Sequence, residues 1–227
     1  MNAVIEKKPM VLGPVEWVAV EQNTPEWMSA RMGIPTASEF DVVMSTERVR
    51  GKGGRSTYMR KLVGERITGE LSENFTNKHM ERGHEMEQQA RDLYAFQNGV
   101  LVHKVGFVKR TLNGRYIGAS PDCRVSPGDG SIWKHKRLGE IKTKLPHLLI
   151  ECFDDEGVLP AEHKAQVQGH MLVTDADQVD FIAYWPKMAL FVVTVGRDET
   201  YIAEMQEKLD RFNEELDALE QRERNRL

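Results

Sequence analysis

The stretch "GASPDCRVSPGDGSIWKHKRLGEIKTK", residues 118–144, decides how the rest of the chain is read. It is flanked or filled by two segments of period two, "GRYIGAS" (114–120) and "LGEIKTK" (138–144), which read as strands, with "SPGDGS" (126–131) as the turn between them. Side chains two apart on a strand share a face, so Glu140 and Lys142 point together while Ile141 turns into the core. Asp122 follows Ser120-Pro121 at the end of the earlier strand, and a hairpin through the turn brings it beside Glu140. Two carboxylates with the Ile141 backbone carbonyl form an all-oxygen site of the kind Mg²⁺ prefers, and Mn²⁺ accepts the same ligands. Lys142 supplies a positive charge for an attacking water or a developing phosphorane oxygen. The trio fits phosphodiester hydrolysis, although an exposed Glu and Lys two apart on a strand are also common without any function. Glu87 in the helix before the sheet and Gln166 in the helix after it lie where either can reach the same edge.

Outward from this hairpin the patterns alternate in period. "VLVHKVGFVKR" (100–110) reads as a strand joined to the next by the turn "LNG"; "QVDFIAYWP" (178–186) and "LFVVTVGRD" (190–198) read as two more. "PAEHKAQVQGHMLVT" (160–174) is a helix between them. Upstream, Thr24-Pro25-Glu26 starts a helix that Gly33 stops, and "TASEFDVVMS" (36–45) repeats the pattern with Thr36 or Ser38 as cap. "RVRGKGGRS" (48–56) reads as a glycine-rich loop, followed by a helix over 56–68. "ERGHEMEQQARDLYAFQNG" (81–99) is a longer helix with Met86, Ala90, Leu93 and Phe96 at helical spacing. From about Glu199 the residues Ile202, Met205, Leu209, Phe212, Leu216 and Leu219 form one apolar seam, to be packed on the body of the chain or on another subunit. The order implies an α/β or α+β fold in a single domain over 1–227, with an N-terminal extension over 1–23 and a C-terminal amphipathic helix over 199–227.

With 40% hydrophobic and 29% charged residues, the composition suits a globular protein. No run of about 18 apolar residues is present, nor an apolar leader, so a cytoplasmic protein without a membrane partner is expected. Cys123 and Cys152 read as reduced thiols, and the histidines as structural or surface groups without zinc spacing. The net charge of −4 means that nucleic-acid contacts must come from local clusters. One cluster exists at 48–66, where Arg48, Arg50, Lys52, Arg55, Arg60, Lys61 and Arg66 face the single acid Glu65, whereas 199–227 hold nine acids and five bases.

Five blocks now carry a resemblance: "ARMGIPTASEF" (30–40), "RGHEMEQQARDLY" (82–94), "GASPD" (118–122), "GEIKTK" (139–144) and "HKAQVQGHM" (163–171). In this order they resemble the phage lambda exonuclease family (viral alkaline exonuclease, YqaJ-like recombinase) of the PD-(D/E)XK nuclease superfamily. The resemblance implies a restriction-endonuclease-like core, a central mixed sheet flanked by helices. It implies two Mg²⁺ ions per active site held by Asp122, Glu140 and the Ile141 carbonyl, with Glu87 auxiliary, Lys142 catalytic and Gln166 as the motif glutamine. A 5′-phosphate pocket of Arg31, Ser38 and Ser120 is also implied, and it fits, because a guanidinium with two hydroxyls suits a phosphate dianion. Arg48, Arg50, Lys52 and Arg55 would grip the duplex backbone, and Lys78 and Met80 would contact the separating strands. The implied activity is degradation of one strand of 5′-phosphorylated linear duplex DNA from its 5′ end, releasing 5′-mononucleotides and leaving 3′ overhangs for recombination. Its implied setting is a homotrimer with a single-strand annealing partner, phage- or prophage-encoded, in a bacterial host. Alternatives are a structure-specific or restriction-type endonuclease on the same fold, or a catalytically inactive DNA-binding or assembly module. The sequence departs from the family at Cys123, where Gly commonly follows the acid.

Overall fold

The computed structural model describes residues 10–45, 49, 52–71, 78–129, 131, 136–154 and 157–227, the side chains of 78–85 excepted. Within these residues, strands β1 (Glu16–Val18), β3 (Phe107–Leu112) and β4 (Arg115–Ala119) form an antiparallel sheet in the order β1-β3-β4. Strands β2 (Val100–Lys104), β5 (Cys123–Pro127), β6 (Arg137–Thr143), β7 (Gln178–Tyr184) and β8 (Phe191–Gly196) form a mixed sheet in the order β2-β5-β6-β7-β8. Only β6 and β7 in that sheet run parallel.

The stretch expected as one strand over 100–110 is thus two strands in different sheets. The change of sheet falls at Gly106, where the backbone passes so close to Val20 that a Cβ would sit 2.0 Å from its carbonyl oxygen. Strand β5 was not expected, because "CRVSP" is short, ends in Pro and was absorbed into the turn; its Cys123 and Val125 are nevertheless buried and Arg124 exposed.

Seven helices surround the sheets within the described residues: α1 (Pro25–Arg31), α2 (Phe40–Met44), α3 (Arg55–Thr68), α4 (Lys78–Asn98), α5 (Pro146–Asp154), α6 (Lys164–Thr174) and α7 (Glu199–Arg224). Thr24 caps α1 by accepting a hydrogen bond from the Trp27 N–H at 3.3 Å, and Pro25 occupies the first turn, as the sequence predicts. A 3-10 turn over Ala37–Glu39 leads into α2. Helix α5 is not among the elements the sequence reading expects; Leu149 and Cys152, three apart, are buried, while Leu148, Ile150 and Phe153 are exposed. Phe96 is 86% exposed and does not join the apolar face of α4, which is Met86, Ala90 and Tyr94 instead.

The mixed sheet is sandwiched. On one face Met86, Ala90 and Tyr94 of α4 meet Cys123, Val125, Ile141 and Ile182. On the other, Val167 and Met171 of α6 meet Leu138, Val179, Phe181 and Ala183. Alternation along β6 and β7 allots neighbours to opposite layers, so β6 is held from both sides. The seam of α7 packs on its own chain: Ile202, Met205, Leu209, Phe212 and Leu216 are buried, and Phe212 stacks on Tyr58 of α3 at 5.7 Å. Its acidic side faces arginines, with Arg66 at 2.9 Å from Asp217, Arg115 at 2.6 Å from Asp217 and Arg55 at 2.6 Å from Glu215.

One pair in the sheet constrains the hairpin tightly. Cys123 stands opposite Gly139, and a Cβ on Gly139 would lie 2.6 Å from Cys123 Sγ. Gly139→Ala is therefore expected to cost about 1–3 kcal/mol of stability by overpacking. Adding Cys123→Ala should recover part of that loss; chemical denaturation of the two single variants and the double variant measures the coupling, and purely additive losses would contradict this contact.

Candidate active site

Strand β5 stops pairing with β6 at Cys123 and Gly139, whereas β6 continues beside β7 as far as Thr143. The end of β6 is left with an open edge on the β5 side, and Asp122 occupies it. The Asp122 N–H donates to the Gly139 carbonyl at 3.1 Å, and its Oδ2 accepts from the Ile141 N–H at 2.5 Å. The N–H and C=O of one strand residue point to the same side, so the Ile141 carbonyl also faces the Asp122 edge. The sheet thus brings together a carboxylate and a backbone carbonyl, but not through the expected hairpin: β4 lies in the other sheet, and β5 is the strand that pairs with β6.

Glu140 points to the α6 side and is 2% exposed. Its Oε1 accepts from Gln166 Nε2 at 2.6 Å and from Lys142 Nζ at 2.7 Å. Its Oε2 accepts from His170 Nε2 at 2.7 Å. Burial alone would raise the Glu140 carboxyl, yet Lys142 and His170 outweigh it and hold the group at about 2. Burial also opposes the Lys142 charge, but Glu140 and Asp122 raise the ammonium above its usual range. Asp122 goes the other way: burial, then the charges of Glu140 and Glu87, push its carboxyl well above the ordinary range.

Glu87, on α4, lines a cleft of about 530 Å³ with Asp122, Gln22, Asn23 and Arg91, and is paired to Arg91. Lys142 and Gln166 open instead onto a cleft of about 890 Å³ with Ser38, Lys52, Lys144 and His163. Among the described residues no three His, Cys, Asp or Glu groups close into a metal cage. The donor set nonetheless suits a hard cation. It consists of oxygens, and the like charges of Glu140 and Glu87 around Asp122 are offset by Lys142 only in part.

The three residues expected at a terminal phosphate are joined by contacts. Arg31 donates to Thr36 Oγ1 at 3.1 Å, which lies 3.2 Å from Ser38 Oγ; Trp27 donates from Nε1 to Ser120 Oγ at 2.9 Å, and the Arg31 guanidinium lies 4.3 Å over the Trp27 ring. Arg31 and Ser38, with Trp27 and Thr36, border a polar cleft of about 490 Å³ that also receives Lys52 and Lys61; Ser120 is not in its lining and is tied to it only through Trp27. Thr36, Trp27, Lys61 and His170 were missed from the sequence. Only His170 carried a signal: it lies four residues after Gln166 on one helix, hence on the same face.

The DNA-contact expectations fare differently. Arg48 and Arg50 lie outside the described residues, as do the side chains of Lys78 and Met80, whose backbone belongs to the first turn of α4 rather than preceding it. Lys52 folds back on the Ser38 carbonyl and on Asp41, at 2.9 Å from the carboxylate. Arg55 is corrected from a loop residue to the first residue of α3; the pull of Glu215 and the Phe212 ring holds it on α7.

The sequence profile of the YqaJ-like viral recombinase domain matches residues 26–177, which include Asp122, Glu140, Lys142, Gln166 and His170. The chain belongs to this family. The recombinase fold here is that of the PD-(D/E)XK nucleases, and it is similar to solved exonucleases. An alkaline exonuclease (LHK-Exo) from Laribacter hongkongensis is 30% identical, with a TM-score of 0.74 over 89% of this chain and 97% of that one. The same exonuclease in complex with dAMP gives a TM-score of 0.73 at 30% identity over the same shares. A phage-related exonuclease from Haemophilus somnus shares the fold at 16% identity and a TM-score of 0.55, over 82% of this chain and 94% of that one. No curated protein matches.

The opposed carboxylates have opposite effects on stability in the absence of metal. Asp122, raised above 3.8, costs stability as pH climbs past that value through its folded pKa; Glu140, lowered from 4.5 to about 2, adds stability that is lost as pH falls through that window. In chelator at neutral pH, Asp122→Asn should raise the melting temperature, about 2–4 °C for each kcal/mol gained. The gain should vanish below pH 3.8. Glu140→Gln should lose ~1.5–3 kcal/mol at neutral pH. Thermal melts across pH check both signs.

Proposed function

We propose that this recombinase-family protein is a Mg²⁺-dependent 5′-to-3′ exonuclease on linear double-stranded DNA. It releases 5′-mononucleotides and leaves 3′ single-stranded overhangs for recombination by strand annealing, with Mn²⁺ as an acceptable substitute. The observation that carries the proposal is the meeting of Asp122 with the Ile141 peptide at an open sheet edge beside the Glu140–Lys142 pair. Support also comes from the Laribacter exonuclease, whose complex with dAMP holds a deoxynucleoside monophosphate, the chemical form of such a product.

Two ions would be held by Asp122, Glu140 and the Ile141 carbonyl, with Glu87 as auxiliary acid. When bound, they supply polarisation of the phosphodiester and of a water, and charge neutralisation at the leaving 3′-oxygen. The chain's own residues do the rest. Lys142, raised in pKa, stays protonated at neutral pH and so offers a fixed positive charge at Nζ rather than a base. Gln166 holds Glu140 Oε1. Arg31, Ser38 and Ser120 bind the terminal 5′-phosphate, with Thr36 and Trp27 fixing the guanidinium and Lys52 and Lys61 adding charge at the cleft. Arg48 and Arg50 extend the backbone grip, while Lys78 and Met80 act where strands part. The proposal includes the ring-shaped homotrimer, a single-strand annealing partner and a phage or prophage setting in the bacterial cytoplasm, with one domain over the whole chain.

Digestion of end-labelled linear duplex with and without chelator tests polarity and metal need together. Lys142→Ala should lower the rate at least ~10²-fold; an undiminished rate, or equal attack on covalently closed circles, would sink the proposal. Arg31→Ala should erase the preference for 5′-phosphate over 5′-hydroxyl ends, worth about 1.5–3 kcal/mol for a charge-assisted bond, as competition between the two substrates would measure.

A further inference from the structure

Glu140 is expected to serve a metal, yet most of its bonding capacity is already used. An ionised carboxylate has roughly four lone-pair positions and can only accept hydrogen bonds. Gln166 and Lys142 take two on Oε1, and His170 takes one on Oε2. Among the described residues His170 is the one donor to Oε2, so it sets that oxygen while Gln166 and Lys142 set Oε1. Because Glu140 is ionised, the hydrogen of the shared bond sits on His170 Nε2. The other ring nitrogen, Nδ1, is buried with no hydrogen-bond partner among the described atoms. A partnerless buried nitrogen is a cost to the fold. Space-filling alone does not account for a histidine in that place, since an apolar side chain would fill it without that cost.

We propose that His170 is a positioning residue for the metal site: its imidazole locks the Glu140 carboxylate so that one lone pair of Oε2 stays free for a divalent cation. The inference rests on the nuclease proposal above, which names Glu140 as a ligand but gives His170 no part. His170 reaches Glu140 from the face of α6 that also carries Gln166, so one helix sets both oxygens. Thr174 ties the end of α6 back by donating to the His170 carbonyl at 2.7 Å, which steadies the turn the imidazole stands on. An outer partner of this kind orients a ligand and tunes its affinity for the ion without touching the reacting atoms.

The test compares His170→Leu, His170→Asn and His170→Gln in the full-length protein. The Gln amide nitrogen reaches where the imidazole Nε2 stood, the Asn amide falls short, and Leu offers no donor. Two readouts are needed: the midpoint of the Mg²⁺-induced rise in melting temperature, starting from chelated protein, and kcat and KM on end-labelled, 5′-phosphorylated linear duplex. Leu and Asn should raise the Mg²⁺ midpoint and lower kcat by ~10–100-fold, with KM for DNA ends unchanged. Gln should restore both most of the way towards wild type. A wild-type midpoint in Asn or Leu overturns the inference, as does a Gln variant as impaired as Asn. Should Leu not fold, Asn against Gln decides alone. If the wild-type protein gains stability from Mg²⁺ but cuts no DNA, the nuclease proposal fails while the His170 inference still stands on the midpoints. No gain from either Mg²⁺ or Mn²⁺ overturns both.

Discussion

A carboxylate buried between a sheet and a helix is the constraint from which the rest of this structure follows. Glu140 is ionised at 2% exposure, and an uncompensated charge there would be prohibitive. Its three donors come from Lys142 on its own strand and from Gln166 and His170 on α6, so α6 can sit against β6 in one register only. That register has a second effect. Ala165 and Leu172 of the same helix pack with Ala37 and Phe40, which bracket Ser38. The helix that satisfies Glu140 therefore also fixes the turn bearing one of the proposed phosphate ligands, and site and core cannot be varied independently.

Asp122 is the counterpart, and its incomplete compensation is informative. Burial and two neighbouring acids work against its ionisation, and the Lys142 charge and one backbone N–H offset them only in part. Strain of this kind persists where the surrounding structure enforces it, and a cation held as proposed would relieve it. Charge elsewhere is arranged to the same end. The acids of α7 neutralise Arg55, Arg66 and Arg115, so those arginines serve the fold. Arg31, Lys52, Lys61, Lys142 and Lys144 instead border the two clefts that contain Ser38. Acids stand among these bases, Glu39 in both clefts, Glu65 in one and Asp41, Glu151 and Glu162 in the other, so the clefts carry mixed charge rather than a field of one sign.

What could be read from the sequence depended on whether a residue's role is set by local geometry. Period two placed Glu140 and Lys142 on one face, and the spacing of three and four placed the seam of α7; both rest on backbone geometry alone. Asp122 needed one further step, a turn. Residues 100–110 defeated the pattern because no turn signal interrupts this β-rich run, while the chain changes sheet at Gly106, where the backbone passes close to Val20. Phe96 has helical spacing but no partner layer beside it, so it stays exposed. Thr36 and Trp27 were invisible for a different reason. Each acts through a residue remote in sequence or through the turn of the chain at Pro35, and no spacing encodes such meetings. His170 was legible through its four-residue step from Gln166, provided that Gln166 was already recognised.

The departure from the family motif after Asp122 shows how such a site tolerates change. Where the family resemblance leads one to expect Gly after the acid, this chain has Cys123, and the residue facing it across the strand pair is Gly139. The thiol fills the space a side chain at 139 would need, so volume is conserved across the pair rather than at either position. Burial pushes the Cys123 thiol up to about 12, which leaves it a neutral space-filling group rather than a nucleophile or a metal ligand. The hydrogen bonds that hold Asp122, to the Gly139 carbonyl and from the Ile141 N–H, run through backbone on the β6 side. They do not depend on which residue of the pair carries the bulk. The position of the acid is therefore set by strand register, and side-chain substitution beside it can proceed so long as its partner compensates.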